Sequence, residues 1–243
     1  ADRLSEASAA PENRVSYGLW AAQLWANTLH KTEQAIASLS RLLSHDPACM
    51  PAIQMSEQLL PPLDRYEPLA RIYAHAIAAM PEGPRQLEIL RKQAALQAHQ
   101  LHDIPAATLT LARLIAQAPA DLDALAMQAD LLIEQTRWSE AVETIEQLSA
   151  HLDDPERKRA AFLKHADILI HQLEQPDRAR RILRKLLVQS PHDMAALKLL
   201  YDIACAERNW SDAKATLEEI CADTQHPDEV RRARCAFTRI ARE

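Results

Sequence analysis

Prolines at a nearly constant spacing constrain this chain more than any other feature of its sequence. Successive members of one series lie 34, 38, 36, 36 and 36 residues apart. A proline ends a helix because it lacks an amide hydrogen and its ring clashes with the preceding turn. The series therefore predicts repeated units, each closed by a proline. The prolines are Pro47, Pro81, Pro119, Pro155, Pro191 and Pro227.

Small and large apolar residues recur at helical spacing before these prolines. An alanine is followed four positions later by a large apolar residue, and three positions further on by another. The alanine lets two helices approach closely, while the larger side chains fill the space beside it. Each unit is therefore predicted to be a helical hairpin. The alanines are Ala35, Ala107, Ala141, Ala179 and Ala213, and the first large residues are Leu39, Leu111, Ile145, Leu183 and Leu217.

A second period of 72 residues indicates that two kinds of hairpin alternate. In one kind, an acidic residue and a proline open the first helix, as at Asp154-Pro155-Glu156, where both are favourable. In the other kind, an aromatic residue closes the turn, and the serine after it, Ser139 or Ser211, is predicted to cap the second helix. The residues that keep the 72-residue spacing are Tyr66, Trp138 and Trp210, and likewise Ala22, Ala94 and Ala166.

Composition restricts both the fold class and the function class. The chain has 243 residues but only 2 glycines, whereas nucleotide-binding α/β folds need glycines in their phosphate-binding turns. Apolar residues make up 48% and aromatic residues 4%, which favours helix over sheet. The formal net charge of −6 argues against nucleic-acid binding. Charge is uneven, with 11 basic and 20 acidic residues in 1–155 but 17 and 14 in 156–243.

The alternating hairpins resemble the tetratricopeptide repeat. The resemblance covers nearly the whole chain and includes a reduced form of the family's first-helix signature. It implies an all-α fold, a right-handed superhelical α-α solenoid of about 13 helices, with residues 1–243 forming one array of about 6.5 hairpins. We expect a segment of a longer array, because the register places both chain ends inside a hairpin. The signature residues are Leu125, Ala129 and Leu132, and likewise Phe162, Ala166 and Leu169.

The same resemblance implies a non-enzymatic scaffold or adaptor that binds a protein or peptide in a groove lined by first helices. Three successive groove positions carry an aspartate, so we expect an acidic groove that selects a basic or mixed-charge partner. Solvated carboxylates on exposed helix faces are the alternative. The groove residues are Gln58, Arg91, Asp123, Asp130, Asp167, Lys198 and Asp202, and the register also includes Gln23, Ala95 and Arg239.

A basic cluster between residues 157 and 185 forms a second candidate surface. It could meet an acidic partner, an anionic membrane surface or nucleic acid, or it could be a solvated helix face. Few aromatic residues lie nearby for base stacking, so no nucleic-acid partner is expected. The residues of this surface are Arg157, Arg159, Arg178, Arg181, Arg184 and Lys185.

Catalytic and metal sites are not indicated, and we expect no cofactor and no transmembrane segment. His99 and His102 could imitate a metal pair, but they fall where a first helix ends. Cys205 and Cys235 take positions that are aliphatic in other units, which predicts buried thiols. Trp20 takes a position that is lysine in later units, so we expect a preceding repeat, a crystal or dimer contact, or a partner to cover it. The exposed ends of the array are expected to favour self-association.

Other uses of such a stack are weighed against the adaptor. The family's clamp for chaperone carboxylates needs Lys and Asn in the groove, and Gln58, Ala95 and Asp130 do not match it. A structural spacer within a larger protein and the periplasmic arm of an export apparatus are the alternatives. We expect a cytoplasmic protein, or a periplasmic one if a signal peptide has been removed.

Overall fold

A computed structural model describes residues 11–223, which form twelve α-helices and no strand. The chain divides into two compact units, residues 1–124 and 125–243. The helices up to the division are α1 (Pro11–Gln23), α2 (Thr32–His45), α3 (Met50–Leu59), α4 (Tyr66–Ala79), α5 (Pro84–His99), α6 (Ile104–Gln117) and α7 (Leu122–Glu134), which contains the boundary. Those that follow are α8 (Trp138–His151), α9 (Pro155–His171), α10 (Pro176–Gln189), α11 (Met194–Ala206) and α12 (Trp210–Asp223).

Odd-numbered helices are the first helices of hairpins and even-numbered ones the second, so the predicted all-α fold of helical hairpins is confirmed. In unit 1, α5 packs on α4 and α6; in unit 2, α9 packs on α8, α10 and α11. A π-helical turn at Leu24–Thr28 continues α1, and a 3-10 turn at Pro61–Leu63 follows α3.

The predicted alanine positions are fully buried in the core. Ala35, Ala107, Ala141, Ala179 and Ala213 each have 0% of their surface exposed. The large residues that follow each alanine by four positions are also buried, as are all six residues of the first-helix signature. In the first hairpin α1 approaches α2 still more closely, since a Cβ added to Gly18 would lie 2.4 Å from Leu42 Cδ1. Burial at fixed positions of the repeat therefore holds each hairpin together.

Helix starts follow the predictions in one kind of hairpin and depart from them in the other. Helix α9 begins at Pro155, and the Asp154 carboxylate accepts from the backbone N–H of Glu156. The predicted caps Ser139 and Ser211 are wrong, because α8 and α12 begin at the preceding tryptophans. The backbone carbonyl of Arg137, before Trp138, already accepts the first helical hydrogen bond, so Ser139 lies inside the first turn.

Each hairpin turn passes through one left-handed residue, and none of them is glycine. Six residues have φ between 50° and 58°, and alternate members are 72 positions apart. The same backbone bonds recur beside them; the N–H groups of Leu101 and Leu173, for example, donate to carbonyls five residues earlier. These bonds close the ends of the first helices without a glycine. The left-handed residues are His30, Asp64, His102, Thr136, Glu174 and Arg208.

The cysteine prediction holds only in part. Cys205 is half-buried rather than buried, because it lies in the last turn of α11, where the helix end leaves one side open. Cys49 is buried, and burial raises the pKa of its thiol. Cys235 and Arg239 lie outside the described residues.

Candidate protein-interaction surfaces

The first helices of unit 2 carry three of the predicted groove aspartates, and all three lie on exposed positions. Asp130 is on α7, Asp167 on α9 and Asp202 on α11. We call the surface formed by Asp167, Asp202 and their neighbour His171 the acidic face of unit 2. Asp130 belongs to a different environment, because its Oδ1 lies 2.5 Å from Nζ of Lys164 on α9. That ion pair joins two successive first helices and neutralises Asp130 locally.

Asp167 and Asp202 keep their charge available. Neither carboxylate has a lysine or arginine partner within residues 11–223. Nε2 of His171 lies 3.5 Å from Oδ1 of Asp167, one turn away on α9. Burial raises the pKa of Asp202, and the charge on His171 acts in the opposite direction. Two carboxylates without a lysine or arginine partner, with the imidazole of His171 beside Asp167, give this surface its chemistry.

In unit 1 the corresponding groove residues are neutral or already paired. Gln58 and Ala95 carry no charge. Nε of Arg91 lies 2.6 Å from Oδ2 of Asp121, so the predicted groove cation is held by the residue that precedes α7. Nζ of Lys92 contacts both carboxylate oxygens of Glu57 at 3.0 and 3.1 Å. The first helices of unit 1 are thus linked by ion pairs, and little charge there is left for a partner. Asp123, at the start of α7, and Lys198, on α11, are both exposed.

The predicted basic surface is divided by the structure. Arg159 does not face outward as a free charge, because it binds the carboxylate of Asp193, which caps α11. Burial acts to raise the pKa of Asp193, but the hydrogen bonds from Arg159 and from the N–H groups of Ala196 and Ala195 outweigh it and hold the pKa below its ordinary value. Arg159 therefore positions α11 against α9 rather than a ligand.

The remaining basic residues concentrate on α10. Arg178 lies in its first turn and donates to Gln175, whereas Arg157 belongs to the start of α9. Arg181, Arg184 and Lys185 occupy one exposed stripe of α10, and no ion pair engages them among residues 11–223. Val188 continues this stripe and is 83% exposed. We call Arg181, Arg184, Lys185 and Val188 the α10 ridge.

A groove runs along each side of the α10 ridge, and Val188 lines both. The groove toward α12 has a volume of about 570 Å³, and the groove toward α8 about 460 Å³. The α12 side is lined by Arg184, Leu187, Val188, Pro191, His192, Leu197 and Glu219. The α8 side is lined by Glu146, Ser149, Ala150, Lys158, Phe162, Lys185, Val188 and Gln189.

Sequence reasoning missed two residues of this region. Val188 was not singled out, although an aliphatic residue four positions after Arg184 continues an otherwise cationic stripe, and this spacing was the available signal. The other is His165, which is 1% exposed, and neither of its ring nitrogens has a hydrogen-bond partner in the described part of the chain. Nothing in the sequence distinguishes this buried histidine from an exposed one.

The described residues offer neither a cluster of metal ligands nor a membrane-spanning helix. Within 11–223 there is no group of three His, Cys, Asp or Glu side chains placed to hold a metal ion. His99 is the last residue of α5 and His102 the left-handed residue of the turn, as expected for polar residues at a helix end. None of the helices described combines the length and apolar character needed to cross a bilayer.

Comparison with known proteins agrees with the hairpin geometry. A family model for the tetratricopeptide repeat matches residues 160–193, which include most of α9 and all of α10. A search of curated protein sequences gave no match to this chain.

Solved structures are similar to this chain at low sequence identity. The structure of Naa15/Naa10 bound to HypK-THB is 17% identical with a TM-score of 0.63, over 91% of this chain and 34% of that chain. YrrB, described as a TPR protein with an unusual peptide-binding site, is 18% identical with a TM-score of 0.46, over 73% of this chain and 87% of that one. Pseudomonas aeruginosa PilF is 16% identical with a TM-score of 0.42, over 96% and 85%.

The repeat positions predicted from the sequence and the matched hairpin point to the same family. The buried alanines recur at the spacing of the hairpins, and the family model falls on α9 and α10, where Phe162, Ala166 and Leu169 are buried. The likeness to the Naa15/Naa10 complex shows the same helical-hairpin fold. The described residues are built of helical hairpins, and the hairpin within residues 160–193 matches the tetratricopeptide repeat family.

Proposed function

We propose that this protein is a non-enzymatic scaffold that binds a basic segment of a protein partner on the acidic face of unit 2. Stacked helical hairpins present extended surfaces, and tetratricopeptide repeats generally serve protein–protein interaction. The observation that carries the proposal is the pair of carboxylates, Asp167 and Asp202, that lack a lysine or arginine partner within the described residues.

A basic segment suits this face because the two carboxylates stand on α9 and α11, helices that pack directly on each other. A lysine or arginine that meets both would gain two charge-assisted hydrogen bonds. Each exposed contact of this kind contributes about 0.2–1 kcal/mol, so the charges steer association and select the partner more than they supply affinity. Apolar contacts would provide the rest of the binding energy.

Asp130 contributes less to the proposed site than the sequence pattern suggests. Its carboxylate is engaged by Lys164, so a basic ligand would have to displace that lysine. We therefore place the selectivity at Asp167 and Asp202, with Asp130 and Lys198 at the edge of the bound segment.

An array of short basic, neutral and acidic peptides tests the proposal with the 243-residue chain. We expect basic peptides to be retained, and we expect Asp167→Asn/Asp202→Asn to weaken the binding of basic peptides, and of these alone, about tenfold, as measured by fluorescence anisotropy. The double variant Glu82→Gln/Glu143→Gln changes the net charge equally at exposed positions off α9 and α11, and it should bind like the wild type. Equal affinity in all three proteins, or retention of acidic peptides alone, would refute the acidic-face site.

The spacer and export-arm alternatives predict that no peptide is retained through Asp167 and Asp202. The cytoplasmic location, with its periplasmic alternative, also stays a prediction, and fractionation of the source cells would distinguish the two.

A further inference from the structure

We propose a second docking surface, separate from the acidic face: the α10 ridge and its two grooves bind an acidic segment that carries an apolar anchor residue. The partner is a peptide-like segment, best presented as an amphipathic helix with carboxylates beside an apolar stripe. This goes beyond the proposed function, because it involves second helices and a ligand of opposite charge.

The charge of the ridge comes from residues that the fold does not use. Arg181, Arg184 and Lys185 are exposed on one side of α10 and form no ion pair within 11–223. Arg180, by contrast, immediately precedes Arg181 in the sequence but is held by Asp177 and by Glu207. The cations on the ridge are therefore available to carboxylates of a partner.

The anchor position is Val188, together with the groove walls beside it. Its 83% exposure leaves a branched aliphatic side chain in water, and it lies one turn beyond Arg184. Leu187 and Leu197 line one neighbouring groove, and Phe162 lines the other. An apolar side chain from a partner would cover Val188 and enter a groove, with the cations of the ridge beside it to meet flanking carboxylates.

An equivalent groove in unit 1 shows that the fold does not require this chemistry. The groove between α2 and α4, of about 410 Å³, is lined by Ser40, Leu43, Ser44 and Pro47 among others. These positions precede Arg184, Leu187, Val188 and Pro191 by 144 residues, which is twice the 72-residue period. Leucine and proline stand in both grooves. The two serines differ, however: Ser40 corresponds to Arg184 in unit 2, and Ser44 corresponds to the exposed Val188.

Groove chemistry favours an acidic peptide over nucleic acid. Glu219 lines the groove toward α12 and Glu146 the groove toward α8, so a continuous phosphate backbone would meet a like charge on either side of the ridge. Phe162, the aromatic residue lining the α8 side, is buried and offers no open ring for base stacking. A peptide avoids this repulsion by placing its carboxylates at the ridge and its apolar residue in the groove.

The test uses the full chain and a labelled synthetic helix of about 18 residues built from Glu, Ala and Leu, with a Lys-for-Glu version as control. We expect anisotropy to show binding of the Glu peptide, weakened at higher salt. Any binding of the Lys peptide should depend on Asp167 and Asp202 and not on the α10 ridge. Arg184→Ser/Val188→Ser installs the serines of unit 1 and should weaken binding at least tenfold. Asp167→Asn/Asp202→Asn should leave this binding unchanged, so the two proposals fail separately.

A gain-of-function variant guards against misfolding as an explanation. Ser40→Arg/Ser44→Val, added to the ridge variant, should restore part of the lost affinity through the groove of unit 1. Unchanged Glu-peptide affinity in the ridge variant, or no Glu-peptide binding by the wild type, would overturn the proposal. So would a single-stranded oligonucleotide that competes at the ridge. Self-association in sedimentation that is lost with Val188→Ser and is insensitive to the Glu peptide would instead identify a second copy of the chain as the occupant.

Discussion

The groove beside α2 in unit 1 and the groove beside α10 in unit 2 share their framework but differ in surface chemistry. Leu43 and Leu187 take the same position in the two grooves, as do Pro47 and Pro191. Ser44, by contrast, corresponds to the exposed Val188. The comparison shows that a helical repeat separates two sets of positions. One set is buried and keeps the hairpins alike, and the other is exposed and free to acquire a binding chemistry.

The first helices show the same separation. In unit 1 the groove cations Arg91 and Lys92 form ion pairs with Asp121 and Glu57, so these charges stabilise contacts between successive hairpins. In unit 2 Asp167 and Asp202 have no such cation among the described residues. Unit 2 therefore carries both candidate surfaces, one acidic on first helices and one basic on a second helix.

The largest effect should come from removing equivalent core leucines, which tests whether the two units share one buried framework. Leu39→Ala and Leu183→Ala each delete a side chain that is essentially unexposed, and each should lower the free energy of unfolding by about 3 kcal/mol. Hydrogen exchange measured by mass spectrometry would locate each loss. We expect faster exchange mainly in α1–α4 for the first variant and in α9–α12 for the second, since repeats contact mainly their neighbours. Leu109→Ala, at an exposed position of α6, is the control, and uniform loss across both units would break the comparison.

A medium effect should appear at His165, which stands 72 positions after the half-buried Gln93. Burial lowers the pKa of His165 below its ordinary value near 6.5; Glu146 on α8 opposes this shift, and Arg178 and Lys185 on α10 reinforce it. The unfolded chain therefore binds more protons than the folded one below pH 6.5. Unit 2 should lose stability as the pH falls from 6.5 toward the folded pKa, by at most about 1.4 kcal/mol per pH unit.

His165→Leu keeps an apolar side chain in place and removes this titration. We expect the variant to be more stable by about 1 kcal/mol at pH 7, because it no longer buries unpaired ring nitrogens, and to show a flatter pH dependence. Urea titrations between pH 5 and 7 measure both quantities. His151→Gln, at an exposed position at the end of α8, is the matched control. If the free energy of unfolding changes with pH equally in the wild type and in His165→Leu, the pH dependence belongs to other groups.

The smallest effect should come from the left-handed turn residues Asp64 and Thr136, which are 72 positions apart. A β-branched residue is strained at positive φ, whereas aspartate tolerates it. Thr136→Gly should therefore raise the free energy of unfolding by about 0.5–1 kcal/mol, after the entropy of the unfolded glycine is subtracted. Asp64→Gly should change it by less. Thermal unfolding followed by circular dichroism checks both, and a larger gain at Asp64 would contradict the reason given.

Much of the fold was predictable because periodic burial leaves a periodic sequence. The alanines at 0% exposure, the prolines beyond helix ends and the Asp154-Pro155 start all follow from local rules. The Ser139 cap was predicted wrongly by one such rule, because the helix start depends on where the Arg137 carbonyl finds its first N–H partner. The left-handed turns were not predicted, because none of them carries the glycine that normally marks such a position.

The candidate surfaces were less predictable than the core. The register predicted that Asp130, Asp167 and Asp202 are equivalent groove residues. The structure pairs Asp130 with Lys164, whereas the other two have no lysine or arginine partner in the described chain. The sequence likewise predicted that Arg159 and Arg184 share one basic surface, but Arg159 binds Asp193, the residue that caps α11. Ion pairs between successive helices join residues about 34 positions apart, and their choice depends on side-chain reach that sequence spacing does not report.

The sequence by itself determined the repeat, the hairpins, the buried positions and the aspartates that recur at one position of successive first helices. These follow from periodicity, since residues one or two turns apart on a helix must share a face. Only the tertiary structure decided which charged side chains form ion pairs within the fold and which remain available to a partner. The outcome for Asp167, Arg184 and Val188 depended on neighbouring helices, because pairing and burial are set by distances across the stack.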